Sequence, residues 1–359
     1  MVVPMRNFST SLGMAALVFL TAGTAAAHHA AAPHFDNTKP ISIEGVVTKF
    51  ALVNPHAYVY VDVTDADGNV ETWNCEMNSA SLLRRHGWTR DLFSPGTEVR
   101  IDGIAARRDP HGCAFQTGTL NDGTTISRSG PISKPDAASA PMAAENTPAS
   151  GDTTSFAGTW ITTPRTRGGG GGPPGMDRFA DVLNDAGKTA AAGYDERFDD
   201  PALSCSPSSI IRGWSEPNSV SEVTQTADQI VIRHEFMDTV RVVDLTTREH
   251  PADAEIPVTG HSVGWFEDST LVIETVGFAA GVLLPHPGVL HSEDMRVVER
   301  LSLSENGTQL IRDYEVTDPQ YFSNPYTGTN RWNRSEIALS TYDCTELSGI
   351  NNQRPAPPE

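Results

Sequence analysis

The sequence predicts an all-β protein of two barrels, a small one followed by a larger one. Three observations predict it. Apolar and polar residues alternate in short runs along most of the chain, as where Val59, Val61 and Val63 interleave with Tyr58, Tyr60 and Asp62. Turn dipeptides such as Asp67-Gly68, Asp122-Gly123 and Asn306-Gly307 punctuate those runs. Period-two alternation bounded by such turns marks strands joined in hairpins, and helical periodicity is confined to brief stretches.

The chain opens with Arg6, an apolar run through Leu17-Val18-Phe19-Leu20, and Ala25-Ala26-Ala27 ahead of His28-His29. That is the layout of a secretory signal peptide over residues 1–27, cleaved after Ala27, which places the mature protein in a periplasm or outside the cell. The formal charge is −19, and loss of Arg6 makes it −20. So acidic a surface repels nucleic acid and anionic lipid. No later apolar run reaches the ~20 residues of a membrane span. Oligomeric state is not readable from these features. Four cysteines in an oxidising compartment suggest two bridges. Within-domain pairing, Cys75–Cys113 and Cys205–Cys344, is preferred among three connectivities.

Residues 129–154, with Pro131, Pro135, Pro141 and Pro148, read as a linker. It separates a first domain at 36–128 from a second at 155–347, and a Pro-rich tail follows at 348–359. Within the first, Ile41–Phe50, Tyr58–Val63 and Val70–Met77 read as three strands. Asn78–His86 reads as a short helix capped by Asn78 or Ser79. Glu98–Ala105 and the hairpin at Asp122-Gly123 add the last strands. Three strands, a helix and two strands is the order of a five-stranded OB-like barrel.

His28-His29, Phe35-Asp36, Glu44-Gly45-Val46-Val47, Asn54-Pro55-His56-Ala57, Glu76-Met77 and Arg85-x-Gly87-Trp88 resemble the secreted bacterial family DUF6152. The resemblance covers nearly the whole first domain. It implies export and a small β fold, and no activity.

In the second domain Gly158-Thr159-Trp160 resembles the Gly-x-Trp of lipocalin-like (calycin) barrels, whose Trp plugs the barrel floor. Strand patterns follow at Glu222–Phe236, Val240–Leu245, Leu271–Val276, Met295–Leu301, Gln309–Thr317 and Arg334–Tyr342, with one helical candidate at Phe179–Leu183. They predict a larger antiparallel barrel with a filled or ligand-holding interior. Arg248-x-His250-Pro251, Gly260-His261-Ser262-Val263-Gly264, His291-Ser292, Glu299-Arg300, Asp318-Pro319 and Tyr321 are similar to a group of exported bacterial proteins. That group follows Gly-His-Ser with Arg-Trp-Glu-Gly-Asp, where this chain has Trp265-Phe266-Glu267-Asp268-Ser269.

Strand parity selects the candidate site. Glu299 shares an apolar face with Met295, Val297 and Leu301. His234 shares one with Ile230, Ile232 and Phe236. A buried carboxylate needs a partner or a raised pKa. Two readings fit. In one, His261, His291 and Glu299 are a cofactor-independent acid/base set for a lyase, hydratase or isomerase acting on a small aromatic or apolar organic acid. Arg248, Arg300, His234, Trp265 and Tyr321 would then bind the substrate. In the other, Glu299 is held by arginine as a barrel plug and the protein is a ligand carrier. A serine hydrolase is disfavoured, because each His-Ser pair points to opposite faces and no nucleophile elbow occurs. Copper is a third possibility: the free amine and imidazole of His28, with His56 or His34, make a nitrogen-rich site. No other cofactor is expected.

Overall fold

The computed structural model describes residues 34–128, 132–133, 151, 153–162, 176–207, 209–216, 218–251 and 258–346. The signal segment, His28, most of the linker and the tail lie outside the described residues.

The first part contains β1 (Phe35–Ala51), β2 (Tyr58–Thr64), β3 (Val70–Glu76), α1 (Ala80–Arg85), β4 (Glu98–Ala106), β5 (Gly112–Leu120), β6 (Thr125–Ser127) and β7 (Ile132–Ser133). The order β3-β2-β1-β4-β5 closes into a ring through β3 and β5, which pair in parallel. This is the OB-like barrel. The long β1 serves two neighbours, placing Val46 opposite both Asp62 and Glu98. At Gly45 a Cβ would stand 2.2 Å from the Asp62 carbonyl oxygen, so that crossing requires glycine. Ser79 caps α1, accepting from Leu82 N at 3.4 Å, and α1 buries Leu82 and Leu83. The core gathers Val47, Val59, Val61, Met77, Trp88, Phe93 and Phe115. Cys75 and Cys113 are register partners on the closing β3–β5 seam, and their disulfide staples it.

The second part begins with β8 (Gly158–Thr162). A cap of short helices follows, including α2 (Asp185–Ala192), α3 (Glu196–Asp199) and α4 (Ile210–Gly213). Then come β9 (Val220–Gln225), β10 (Gln229–His234), β11 (Val240–Asp244), β12 (His261–Glu267), β13 (Thr270–Val276), β14 (Gly281–Leu284), β15 (Val289–His291), β16 (Arg296–Leu303), β17 (Gln309–Thr317) and β18 (Tyr326–Ser335). Nine of these strands close in the order β10-β11-β12-β13-β16-β17-β18-β8-β9, and β14 pairs with β15 as a separate hairpin. One seam departs from the antiparallel expectation: β11 and β12 pair in parallel over two positions, Val243 with Ser262 and Asp244 with Val263.

Trp160 is fully buried, donates its indole N–H to the Phe156 carbonyl at 3.0 Å and lies under the Arg334 guanidinium at 4.3 Å. Gly158 has φ of +134°, and a Cβ there would stand 2.6 Å from Arg334 Nη1. Gly158 thus leaves room for the Arg334 guanidinium that covers the Trp160 ring.

Two strand expectations are corrected. Glu222–Phe236 is two strands, because Thr226 hydroxyl and backbone bonds turn the chain at 226–229. The last strand is Tyr326–Ser335 rather than Arg334–Tyr342. Residues after 335 leave the barrel as a strap toward the smaller one. The expected helix at Phe179–Leu183 is a single 3-10 turn at Met176–Phe179, with α2 beyond it.

Candidate functional site

Inside the larger barrel two adjoining strands, β16 and β17, and a third, β11, place charges on the inner face. Glu299 on β16 lies opposite Ile273 of β13 and Tyr314 of β17. Arg312 of β17 donates Nε–H to Glu299 Oε1 at 2.6 Å and Nη1 to Asn330 Oδ1 at 2.9 Å. Arg241 of β11 donates through Nη2 to the other Glu299 oxygen and to Thr275 Oγ1, and through Nε to Ser262 Oγ. Exposure of these three charged side chains is 0–1 %. Arg241 Nη1 and Arg312 Nη2 are buried with no hydrogen-bond partner.

Burial alone would raise the Glu299 pKa. The charges of Arg241 and Arg312 overcome that and hold it at about 2. His234 feels the reverse. Desolvation, then the two guanidinium charges, push it down to about 3, so its imidazole stays neutral. Its Nδ1 hydrogen-bonds Ser221 Oγ at 2.8 Å, and its ring meets Trp214 edge-on at 4.7 Å. Two guanidiniums, one carboxylate and a neutral imidazole leave this interior with one net positive charge.

A pH dependence follows. Unfolded His234 takes up a proton near pH 6.5, whereas the folded protein refuses it until about pH 3. The unfolded chain therefore binds more protons, and stability is lost as pH falls across that window, by up to ~1.4 kcal/mol per unit. Glu299, depressed when folded, adds a loss below its ordinary value of 4.5. Urea unfolding measured from pH 7 to pH 4 should show this loss, and His234→Gln should flatten its upper part.

The predicted residues do not converge. His261 stands on the outer face of β12, since its neighbour Ser262 faces inward with Thr275. Its imidazole contacts His250, and not Glu299. His291 ends β15 of the separate hairpin, buried against the Ser292 carbonyl and the Phe278 ring. Arg248 lies over Trp265 at 4.7 Å, lining a groove at the barrel rim with Thr226 and Phe266. Trp265 donates to Glu267, which also binds the exposed Arg300. Tyr321 belongs to the turn held by Asp318, whose carboxylate accepts from the backbone of Ser292, Gln320 and Tyr321. Only His234 lies beside the Glu299 cluster. Sequence parity also placed Arg241 with Val243, and Arg312 with Leu310 and Tyr314, on buried faces.

A second cleft opens where the barrels meet. Arg85 of α1 donates Nη1 to both oxygens of Glu235, at 2.9 and 3.0 Å, and Nη2 to the Asn218 carbonyl at 2.7 Å. Asn54 accepts from Ser81 N and donates to the Tyr342 carbonyl, and its own carbonyl accepts from Thr345 N at 2.7 Å. His56 lines this cleft, buried, with Nδ1 3.1 Å from the Met77 carbonyl and 3.4 Å from Glu76. The Asn-Pro-His element thus seats the strap of the other barrel. The cavity there is about 30 Å³, room for two or three waters at ~10–15 Å³ each.

Among described residues no group of three or more His, Cys, Asp or Glu side chains is arranged to hold a metal. No helix among them is long and apolar enough to cross a membrane.

No curated protein matches the chain. Solved structures similar to it include a secretary abundant heat soluble (SAHS) protein from Ramazzottius varieornatus, at 11 % identity and TM-score 0.26, covering 50 % of this chain and 95 % of that one. A mutant of the fluorescent protein UnaG is similar at 15 % identity and TM-score 0.24, covering 51 % and 97 %. At such scores the fold assignment rests on the strand pairing itself. Residues 16–114 match the model of DUF6152, a family of unknown function, and the smaller barrel is accordingly the DUF6152-like part of this chain.

Proposed function

We propose that this is an exported, non-catalytic small-molecule-binding protein that takes the carboxylate of a small organic acid inside its larger barrel, at Arg241 and Arg312. One observation carries the reading. A fully buried cluster holds two guanidiniums for one carboxylate, and each guanidinium keeps a nitrogen without a partner. An unbalanced buried charge is costly, and a bound anion offsets it while satisfying both N–H groups. Glu299 serves as the arginines' counter-ion and orienting group. A carboxylate held near pKa 2 between two cations is a poor proton donor at neutral pH, so the acid/base reading loses its central group. The two disulfides suit export into an oxidising compartment.

Native mass spectrometry of protein purified from its own host should show a small anionic adduct. A panel of formate, acetate, short-chain acids and benzoate should raise the melting temperature in proportion to ln(1 + [L]/Kd). The shift should vanish in a variant replacing Arg241, Glu299 and Arg312 together by apolar residues. Absence of both adduct and shift in the wild-type protein would refute the reading.

A further inference from the structure

His250 and His261 form an unusual pair on the outer wall of the larger barrel. His250 follows β11, and His261 begins β12. Their Nδ1 atoms are 2.9 Å apart, with ring centroids at 5.1 Å and planes at 78°. His250 turns its other nitrogen, Nε2, to Glu274 Oε1 at 3.3 Å, and Glu274 is anchored in turn by Arg296. Both imidazoles are partly exposed.

Two features of this arrangement have a chemical meaning. A carboxylate facing Nε2 fixes the proton there and leaves the Nδ1 lone pair of His250 directed at His261. Such a carboxylate–histidine relay is the usual outer support of an imidazole bound to metal. The spacing is also telling. Two nitrogens each about 2.0–2.1 Å from one ion and 2.9 Å apart subtend about 90°. That is the angle between adjacent corners of a square-planar centre, the geometry that copper(II) prefers with nitrogen and oxygen ligands. Among divalent first-row ions copper(II) also binds imidazole most tightly.

We propose that His250 and His261 together bind copper(II) through their Nδ1 atoms, with water completing the square plane and Glu274 orienting His250. This site is separate from the nitrogen-rich start of the mature chain and from the arginine cluster, and it does not depend on either.

The test uses the whole mature protein, titrated with copper(II) and followed by calorimetry and electron paramagnetic resonance. Wild type should bind one equivalent more than His250→Ala or His261→Ala, and that equivalent should show coupling to two nitrogens. His28→Ala should retain it. Glu274→Gln should weaken it by ~10–100-fold, the usual cost of losing an outer-shell partner. Circular dichroism checks that the variants fold. Nitrogen-15 shifts give an independent reading in the unaltered chain. Copper-free His250 should carry its proton on Nε2, and diamagnetic zinc(II) should shift both Nδ1 resonances. Equal copper stoichiometry in wild type and both alanine variants would overturn the proposal. So would a His250 proton on Nδ1 with no zinc response, the signature of a plain imidazole–imidazole hydrogen bond.

Discussion

Glu299→Gln is expected to destabilise the protein by ~3–5 kcal/mol, the cost of leaving a buried ion cluster with its partner removed. Both arginines touching Glu299 are at most 1 % exposed, so neither guanidinium can swing out to water. Chemical denaturation at pH 7 measures the loss. The contrasting variant replaces Arg241, Glu299 and Arg312 together by Met, Leu and Met. Removing a whole buried ion group in favour of well-packed apolar residues is often neutral or stabilising. The triple variant should therefore melt near the wild-type temperature while losing organic-acid binding. That outcome would separate what the cluster does for folding from what it does for a guest. A triple variant as unstable as Glu299→Gln would show that the polar network itself specifies the barrel.

The second large effect is expected at the Cys205–Cys344 bridge, which spans 139 residues and ties the strap to the turn after the Pro201–Ser204 helix. Chain-entropy reasoning gives ~5 kcal/mol for a loop of that length and ~4 kcal/mol for the 38-residue loop closed by Cys75–Cys113. The long bridge has an additional local role. The strap beside it meets Asn54 by backbone pairing at Cys344 and by hydrogen bonds at Tyr342 and Thr345. Cys205→Ser with Cys344→Ser should lower the melting temperature and expose residues 336–346 to limited proteolysis. Unchanged proteolysis in that double variant would show that Asn54 and Glu235 hold the strap unaided.

Much of the architecture was legible because strands advertise themselves by period two. Five strands and a helix of the smaller barrel came directly from alternation, turn dipeptides and the Ser79 cap. Both disulfides pair as within-domain economy suggested. The failures have physical causes. Glu222–Phe236 reads as one strand pattern, since its turn uses Thr226 and Gln229 instead of Gly or Asn. β18 was displaced because Thr327, Thr329 and Arg331 face water, while its inward residues are as unlike as Tyr326, Asn330 and Trp332. Parity found Glu299 and His234 correctly. His261 shares its parity with Val263 and Trp265 on the outer face of β12, and so points away from Glu299. His291 lies in a hairpin outside the ring, where strand parity says nothing about the barrel interior. Contacts between barrels, such as Arg85 with Glu235, leave no periodic trace at all.

The strap has a consequence for biogenesis. A polypeptide made from its amino end delivers residues 340–346 after every strand of both barrels. The smaller barrel can close early, stapled by its own bridge, but Asn54 must wait for Tyr342 and Thr345, the last of its partners to be made. Interlocking of the two halves thus follows the pairing of every strand, and a chain lacking residues 340–346 would leave the joint at Asn54 unclasped.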